Sequence, residues 1–510
     1  MTLSSSSSPA SEPAGPAARL LIQQAGRWLG PLAALAVHAS LGQWASGMSY
    51  EARVTAAVGV LMACWWMTEA VPLAVTSLLP LSLFPLAGVL SLPDAAAPYA
   101  EKNIFLFLGG FLIALAVERW NLHRRIALLT VLAVGTRPDR LVGGVMLATA
   151  ALSMWISNTA TAAMMLPIGT SLVVLLGDHL ARHVTTRAGT ADEAARSIQA
   201  FGTCLMLGIA YSASIGGLGT LIGTPTNVAL AGFAAKHHLN IGFGSWMLMA
   251  VPLVLVFELA AWLLLTRWLF PIAVSDLPGG RQLIEQELRD LGPLSRGERI
   301  VLVVFAGTAA AWVGREPLVH WEALTAHVPF VARLDDPIIA LLGATVLFLI
   351  PVDRSRGVYA LDWETAAKVP YGVLLLFGGG FALTAAMTNS GLTSWLGERI
   401  AEMGGLPAPL VILLTITIVI FTTELTSNTP TILAFLPILY SVAEGLEISP
   451  LRLMIPATLA ASCAFMLPVG TPPNAIVFAS GKVTIGQMVR AGWYLNLIGI
   501  GLIFLFAGLR

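Results

Sequence analysis

Two short runs of uncharged polar residues interrupt otherwise oily sequence, SMWISNT at 153–159 and TELTSNT at 423–429. In each, a Ser-Asn-Thr triplet follows a hydroxyl residue. Ser153 precedes Ser157 by four places and Thr423 precedes Ser427 by four, a spacing that puts both hydroxyls on one helix face aimed at the triplet. Further along, GTPTN at 223–227 and GTPPN at 470–474 set prolines inside long apolar runs. A proline there removes a backbone donor and clashes with the preceding turn, so the helix should unwind. Broken backbone at membrane depth persists only where protein, water or a bound ion satisfies it. The motifs therefore concentrate carbonyl, amide and hydroxyl oxygens at two places, and such neutral hard ligands suit Na⁺. Half-helix ends are recurrent coordination devices in sodium-coupled carriers. A lone Ser or Thr in a membrane helix reads as packing glue; two matched sets beside two matched breaks point to ion binding.

Neither triplet and neither Gly-Thr-Pro turn contains Lys, Arg or His, so an anion finds no fixed positive partner there. Asn, Thr and backbone amides at helix N-termini can hold it, with adjacent sodium ions offsetting the repulsion. Substrate and sodium affinities then depend on each other. Glu424, beside Thr423, is an intramembrane carboxylate and so a proton-relay candidate. Its counterpart in the other half is Met154, an asymmetry that favours a structural or tuning role; Glu258 invites the same caution. Trp65-Trp66 reads as a packing or interface pair. Cys64, Cys204 and Cys463 sit in apolar segments without metal-ligand spacing and read as buried small residues.

The elements that must position these motifs are membrane helices. The 510 residues are 56% hydrophobic and only 11% charged, with a mean hydropathy of +0.80. That places the chain among polytopic all-α membrane proteins. Lys+Arg and Asp+Glu are equal at 28 each, so no charge excess points to nucleic acid. Apolar runs near 29–46, 54–70, 73–92, 104–117, 202–235, 246–271, 300–313, 337–352, 369–388, 452–481 and 491–509 are read as 11 spans of a ~30 Å layer. Two more runs, 141–177 and 408–443, are too long for one crossing and carry the triplets near their middles. Arginines precede and follow the first, so both its ends belong on the cytoplasmic face. A re-entrant hairpin turning at Ser157-Asn158-Thr159 satisfies that requirement. The flanks of the second are poor in cations, and its hairpin should open outward.

Threading the spans with the N-terminus inside puts about 20 of the 28 Lys/Arg residues on the cytoplasmic side. The C-terminus is then external. FLFLGGFLIALA (105–116) matches LLLFGGGFALTAA (374–386), SNTATAAMMLPI (157–168) matches SNTPTILAFLPI (427–438), and the two GTPxN turns match each other, all in the same order. Oppositely opening hairpins in matching halves make an inverted repeat, with a binding site at the repeat interface near the midplane. The expected organisation is a disordered cytoplasmic tail at 1–27 and a first half at 28–271, holding the inward-opening hairpin 137–180 and the broken helix 200–236. A cytoplasmic linker at 272–299 follows, then a second half at 300–510 with the outward-opening hairpin 406–446 and the broken helix 450–481.

With the WWMTEAVP start and SCAFMLPVGTPPNAIV (462–477), these motifs resemble the divalent anion/sodium symporter family, carriers of dicarboxylates, citrate or sulfate, from about residue 50 to the C-terminus. The resemblance implies an elevator-type homodimer in which scaffold domains form the interface and a hairpin-bearing transport domain moves across the bilayer. It implies at least two Na⁺ sites. One joins Ser153, Ser157, Asn158 and the carbonyl near Gly223; the other joins Thr423, the Thr426 carbonyl, Asn428 and Gly470. Substrate carboxylates would meet Asn158, Thr159, Ser427, Asn428 and Thr429, with Thr224, Thr471 and Pro472 nearby.

Sodium-driven uptake of a C4-dicarboxylate such as succinate across the cytoplasmic (inner) membrane is the leading expectation. Sodium-independent exchange and sodium-coupled citrate or sulfate transport are the alternatives. An exchanger would replace a bound ion with a cationic side chain, and the motifs contain none. An enzyme is not expected, because the proposed sites hold no Ser-His-Asp set, HExxH or paired acids, and no GxxxxGK[ST] loop suggests an ATP-driven pump.

Overall fold

Long runs of Leu, Ala and Val leave backbone groups with no water to bond, and the helix is the local structure that satisfies all of them. The computed structural model describes residues 16–45, 47–135, 137–184, 191–272, 279–402 and 406–508. Among these, seven helices are long and apolar enough to span a membrane, accompanied by four shorter apolar helices. A two-stranded antiparallel ribbon, Pro351–Asp353 with Val358–Tyr359, is the sole sheet among the described residues. Exposed apolar side chains fall on stripes. Leu410, Leu414 and Ile418 are exposed along one face of the helix Ala408–Thr423, while Ile412, Ile416 and Val419 are buried on the other. A stripe spaced by four residues lies along one helix face, so this helix turns an apolar face outward from the rest of the chain.

Two helical hairpins share one plan. The first has a leading arm Pro138–Ser153 and a trailing arm Asn158–Val184; the second has Ala408–Thr423 and Asn428–Gly445. Each leading arm is 16 residues, or about 24 Å at 1.5 Å per residue, and ends on its hydroxyl residue. Each trailing arm begins on the asparagine of the triplet and carries an internal proline, Pro167 or Pro437.

Two broken helices accompany the hairpins. Ala191–Gly217 gives way to irregular backbone before Pro225–Lys236, and Leu451–Ala461 does so before Pro472–Ala479. Thr224 (φ −140°, ψ 144°) and Thr471 (φ −142°, ψ 151°) are extended in the same way, and each precedes a proline at the first helical position. Close approach sets one requirement here. A Cβ on Gly216 would overlap the backbone of Ala150 in the leading arm, so only glycine lets that arm lie against the break. The halves interlock through Thr226 and Ser462, whose hydroxyls are 2.7 Å apart, and through the Tyr211 hydroxyl, which donates to the Met488 carbonyl at 3.3 Å.

Several expected boundaries move. Residues 1–15 of the tail lie outside the described residues, whereas 16–27 begin the helix Pro16–Trp44. The run 73–92 is not one crossing: it holds the short helices Leu73–Thr76 and Leu79–Leu86, with Pro80 in the first turn of the second and Gly88 at φ 74° just past its end. Residues 273–278 of the linker and 509–510 at the C-terminus also lie outside the described residues. The rest of the linker is not merely loop, because Gly280–Asp290 is an amphipathic helix with Ile284 buried.

A helix not expected from the sequence, Leu122–Val134, lies between the span Lys102–Arg119 and the first hairpin. Arg125 fixes it. Its Nε sits 2.6 Å from Glu298, whose other oxygen accepts from the Ser295 amide at 2.7 Å in the capping box that opens the helix Arg296–Val319.

Candidate functional site

The hairpin tips and the helix breaks meet. Ser157, Asn158 and Thr159 from the first tip, and Ser427, Asn428 and Thr429 from the second, line a single cavity of about 500 Å³. Gly223, Thr224 and Pro225 from one break, with Gly470, Thr471 and Pro472 from the other, complete its polar wall. All eight residues read as substrate-binding therefore face one space. Four helix N-termini converge on it, those of the two trailing arms and of Pro225–Lys236 and Pro472–Ala479. Each carries roughly half a positive charge from its unpaired amides, which makes an uncharged wall hospitable to an anion.

Behind the tips, Ser153 and Thr423 are fully buried and do not reach the cavity. Ser153 Oγ lies 2.6 Å from Asn158 Oδ1 and 2.6 Å from the Ala213 carbonyl. Thr423 Oγ1 lies 2.7 Å from Asn428 Oδ1 and 2.8 Å from the Ala461 carbonyl. The two halves thus build the same cluster of hydroxyl, amide and carbonyl oxygens. In the first, one end of the Asn158 amide faces three acceptors, namely Ser153 Oγ at 2.6 Å, the Ala213 carbonyl at 3.0 Å and the Gly223 carbonyl at 3.2 Å. With its nitrogen turned inward the amide has two N–H donors for these three acceptors; with its oxygen inward, four oxygens converge and a small hard cation would hold them together.

The remaining sequence-derived ligands differ in how they are engaged. Ser157 Oγ accepts from the Ala160 amide at 3.3 Å as the trailing arm's cap and keeps a free lone pair. The Thr426 hydroxyl turns away, donating to the Thr422 carbonyl at 2.8 Å and meeting Thr431 Oγ1 at 2.6 Å, so only its carbonyl is available. Thr471 Oγ1 accepts from the Asn474 amide at 3.4 Å.

Some positioning residues are unassigned in the sequence, and Glu424 is expected there only in a general structural or tuning role. The asparagine of each GTPxN turn is a clamp: Asn227 Nδ2 donates to the Gly217, Leu218 and Thr220 carbonyls at 3.2, 3.3 and 2.8 Å, and Asn474 Nδ2 to the Ala464 and Leu467 carbonyls, both at 3.0 Å. Their Oδ1 atoms are buried without a donor. The equal placement of both asparagines in the repeat was the available signal. Glu424 braces the second break. Its carboxylate accepts from the amides of Phe465 (2.7 Å), Met466 (2.9 Å) and Leu467 (3.2 Å) and from Asn496 Nδ2 (2.7 Å). Lys368 and Glu118 also line the cavity, as one cation and one acid among otherwise neutral walls.

Comparison with known proteins agrees with this architecture. The family model described as the sodium:sulfate symporter transmembrane region matches residues 26–509. A sodium-dependent dicarboxylate transporter of Staphylococcus saprophyticus is 44% identical over 453 residues, covering 88% of this chain and 84% of that protein. One from Staphylococcus aureus is 41% identical over 454 residues, with the same coverage. Among solved structures, the YdaH transporter of Alcanivorax borkumensis superposes with a TM-score of 0.50 at 15% identity, covering 83% of this chain and 87% of that one. MtrF of Neisseria gonorrhoeae, an antimetabolite efflux pump, gives 0.54 at 13% identity and covers 83% of each chain.

Proposed function

Because this chain belongs to the sodium:sulfate symporter family, we propose that it couples inward flow of sodium to the uptake of a C4-dicarboxylate such as succinate. One observation carries the reading: matched tips from the two halves line one cavity, with a matched oxygen cluster behind each tip. The dicarboxylate specificity named for the two staphylococcal relatives supports the choice of substrate over sulfate.

Physical chemistry makes the coupling obligatory. A dianion leaving water for a cavity without a paired cation pays a large desolvation cost, which helix N-termini offset only in part. Two sodium ions, one beneath each tip, bring the loaded site to neutrality. One would engage Ser153, Ser157, Asn158 and the Gly223 carbonyl; the other would engage Thr423, the Thr426 carbonyl, Asn428 and Gly470. Binding them would hold the Asn158 oxygen inward and leave Thr159 and Thr429, with the trailing-arm amides, free for substrate carboxylates. A tenfold sodium gradient supplies about 1.4 kcal/mol per ion, so two ions drive about hundredfold accumulation of a dianion. In this reading the protein is a homodimer in the cytoplasmic membrane, with its N-terminus inside, and works by elevator motion of the hairpin-bearing domain.

Proteoliposomes test the function. Uptake of labelled succinate should need an inward sodium gradient, saturate, and be competed by other C4-dicarboxylates more strongly than by citrate or sulfate. Full uptake in sodium-free medium would reject symport, and strict dependence on internal dicarboxylate would establish exchange.

A further inference from the structure

A cavity built to hold a dianion between neutral walls also has to attract one from bulk water, and its two charged lining residues stand where that matters. Lys368 is exposed and Glu118 half-buried, and neither forms an ion pair among the described residues. Both are held in place by groups other than their own. Arg119, next to Glu118 at the end of the helix Lys102–Arg119, lies 2.6 Å from Asp362 and donates to Thr365 Oγ1 at 3.4 Å. Trp120 Nε1 donates to the Ala360 carbonyl at 2.8 Å, and the Lys368 amide to the Thr365 carbonyl at 3.1 Å. Asp362 caps the short helix Trp363–Ala366 by accepting from the Thr365 amide at 2.9 Å. The segment 360–368 is thereby fastened to the end of the span that carries Glu118, and both side chains are delivered to the one cavity.

An ammonium on so well anchored a segment would form a nearby salt bridge if its task were structural; here it is left free at the rim. We propose that Lys368 is a steering and specificity residue that draws dianionic substrate through the cavity mouth, with Glu118 as the opposing charge that keeps the dianion from lodging there. This rests on the function proposed above and adds a fixed side-chain charge to the positive charge of the bound sodium ions. A unit charge acts on a dianion twice as strongly as on a monoanion, so the device favours fully ionised dicarboxylates. Within one Debye length, about 8 Å at physiological ionic strength, the attraction amounts to a several-fold change in apparent affinity.

The test uses full-length protein in proteoliposomes, with succinate KM and sodium half-saturation measured for the unmodified protein, Lys368→Gln, Lys368→Arg and Glu118→Gln. The expected result is a succinate KM about three- to fivefold higher in Lys368→Gln at low ionic strength. That difference should shrink when choline chloride is raised at constant sodium. Lys368→Arg should behave like the unmodified protein, Glu118→Gln should shift KM the opposite way, and sodium half-saturation should stay put. Normal uptake by the unmodified protein with an unchanged KM in Lys368→Gln would overturn this proposal alone. So would an equal defect in Lys368→Arg, or a difference insensitive to ionic strength. An unmodified protein without sodium-stimulated succinate uptake would overturn the functional reading, and this proposal with it.

Discussion

Glu424 follows Thr423 of a proposed sodium site, and replacing it separates two kinds of chemistry. Its Oε1 accepts from the Phe465 and Met466 amides and Asn496 Nδ2 at 2.7, 2.9 and 2.7 Å; its Oε2 accepts from Met466 and Leu467 at 3.0 and 3.2 Å. Glu424→Ala leaves three backbone donors and one side-chain amide unsatisfied in the break that delivers Gly470 and Thr471. At about 1–3 kcal/mol for each buried donor left bare, and allowing some to find cavity water, the loss is about 3–6 kcal/mol. Glu424→Gln keeps one oxygen for the Oε1 contacts but turns an NH₂ toward the Leu467 amide and removes the charge, a cost of about 1.5–3 kcal/mol. Detergent-solubilised protein should therefore unfold at successively lower temperature in the order wild type, Gln, Ala. Sodium half-saturation should rise about tenfold or more in Glu424→Gln, since each 1.4 kcal/mol of lost loop order is a factor of ten. The dependence of transport on pH should keep its shape. A Glu424→Gln protein with unchanged thermal stability and sodium affinity but an altered pH profile would refute the bracing role and make Glu424 a proton carrier.

Other expectations follow from individual contacts. Asn158→Ala and Asn428→Ala should each abolish sodium-stimulated transport while the protein still reaches the membrane and elutes as a folded species, as size-exclusion profiles would show. Gly216→Ala should fail to accumulate as folded protein, because the added methyl meets Ala150 backbone rather than a movable side chain; fluorescence-detected elution reads this directly. The pinned loop has a predictable acid limit. Burial opposes ionisation of Asp362, but its hydrogen bonds from Thr365 and its Arg119 partner outweigh that and hold the carboxyl below the usual range. A depressed folded value means the stabilisation is complete above the unfolded value near about pH 3.9 and disappears as pH falls through the folded one. Thermal stability should consequently not respond to Asp362→Asn more strongly at pH 8 than at pH 6, and the difference from wild type should close only in strong acid.

The residues around the cavity show which features a sequence carries openly. Triplets and turns repeated at fixed offsets announce themselves, because the same residue types must recur wherever the same backbone and oxygen geometry is built twice. Ser153 with Asn158 and Thr423 with Asn428 are local pairs, five residues apart, and so are legible without tertiary knowledge. Glu424 is different. Its role depends on amides some 41–43 residues away and on Asn496, and nothing near it in sequence reveals them. Lys368 and Glu118 are further apart still, and only the folded chain brings them to one rim. The helix Leu122–Val134 is not legible as a span because its arginines suppress the apolar signal, although Leu128 and Val131 are buried on its inner face. At 73–92 the opposite holds: an unbroken apolar run reads as one span, yet Pro80 sits in the first turn of a second short helix and Gly88 at φ 74° lies just past its end.

The most direct test of two cation sites serving one anion is equilibrium binding of succinate at sodium concentrations below saturation. The logarithm of the dissociation constant should fall against the logarithm of sodium concentration with a slope of about −2 or steeper, one unit for each linked ion. Asn158→Ala and Asn428→Ala should each bring it about one unit nearer zero. A slope indistinguishable from zero in the unmodified protein, with succinate still bound, would show that the oxygen clusters beneath the tips do not hold the ions that admit the acid.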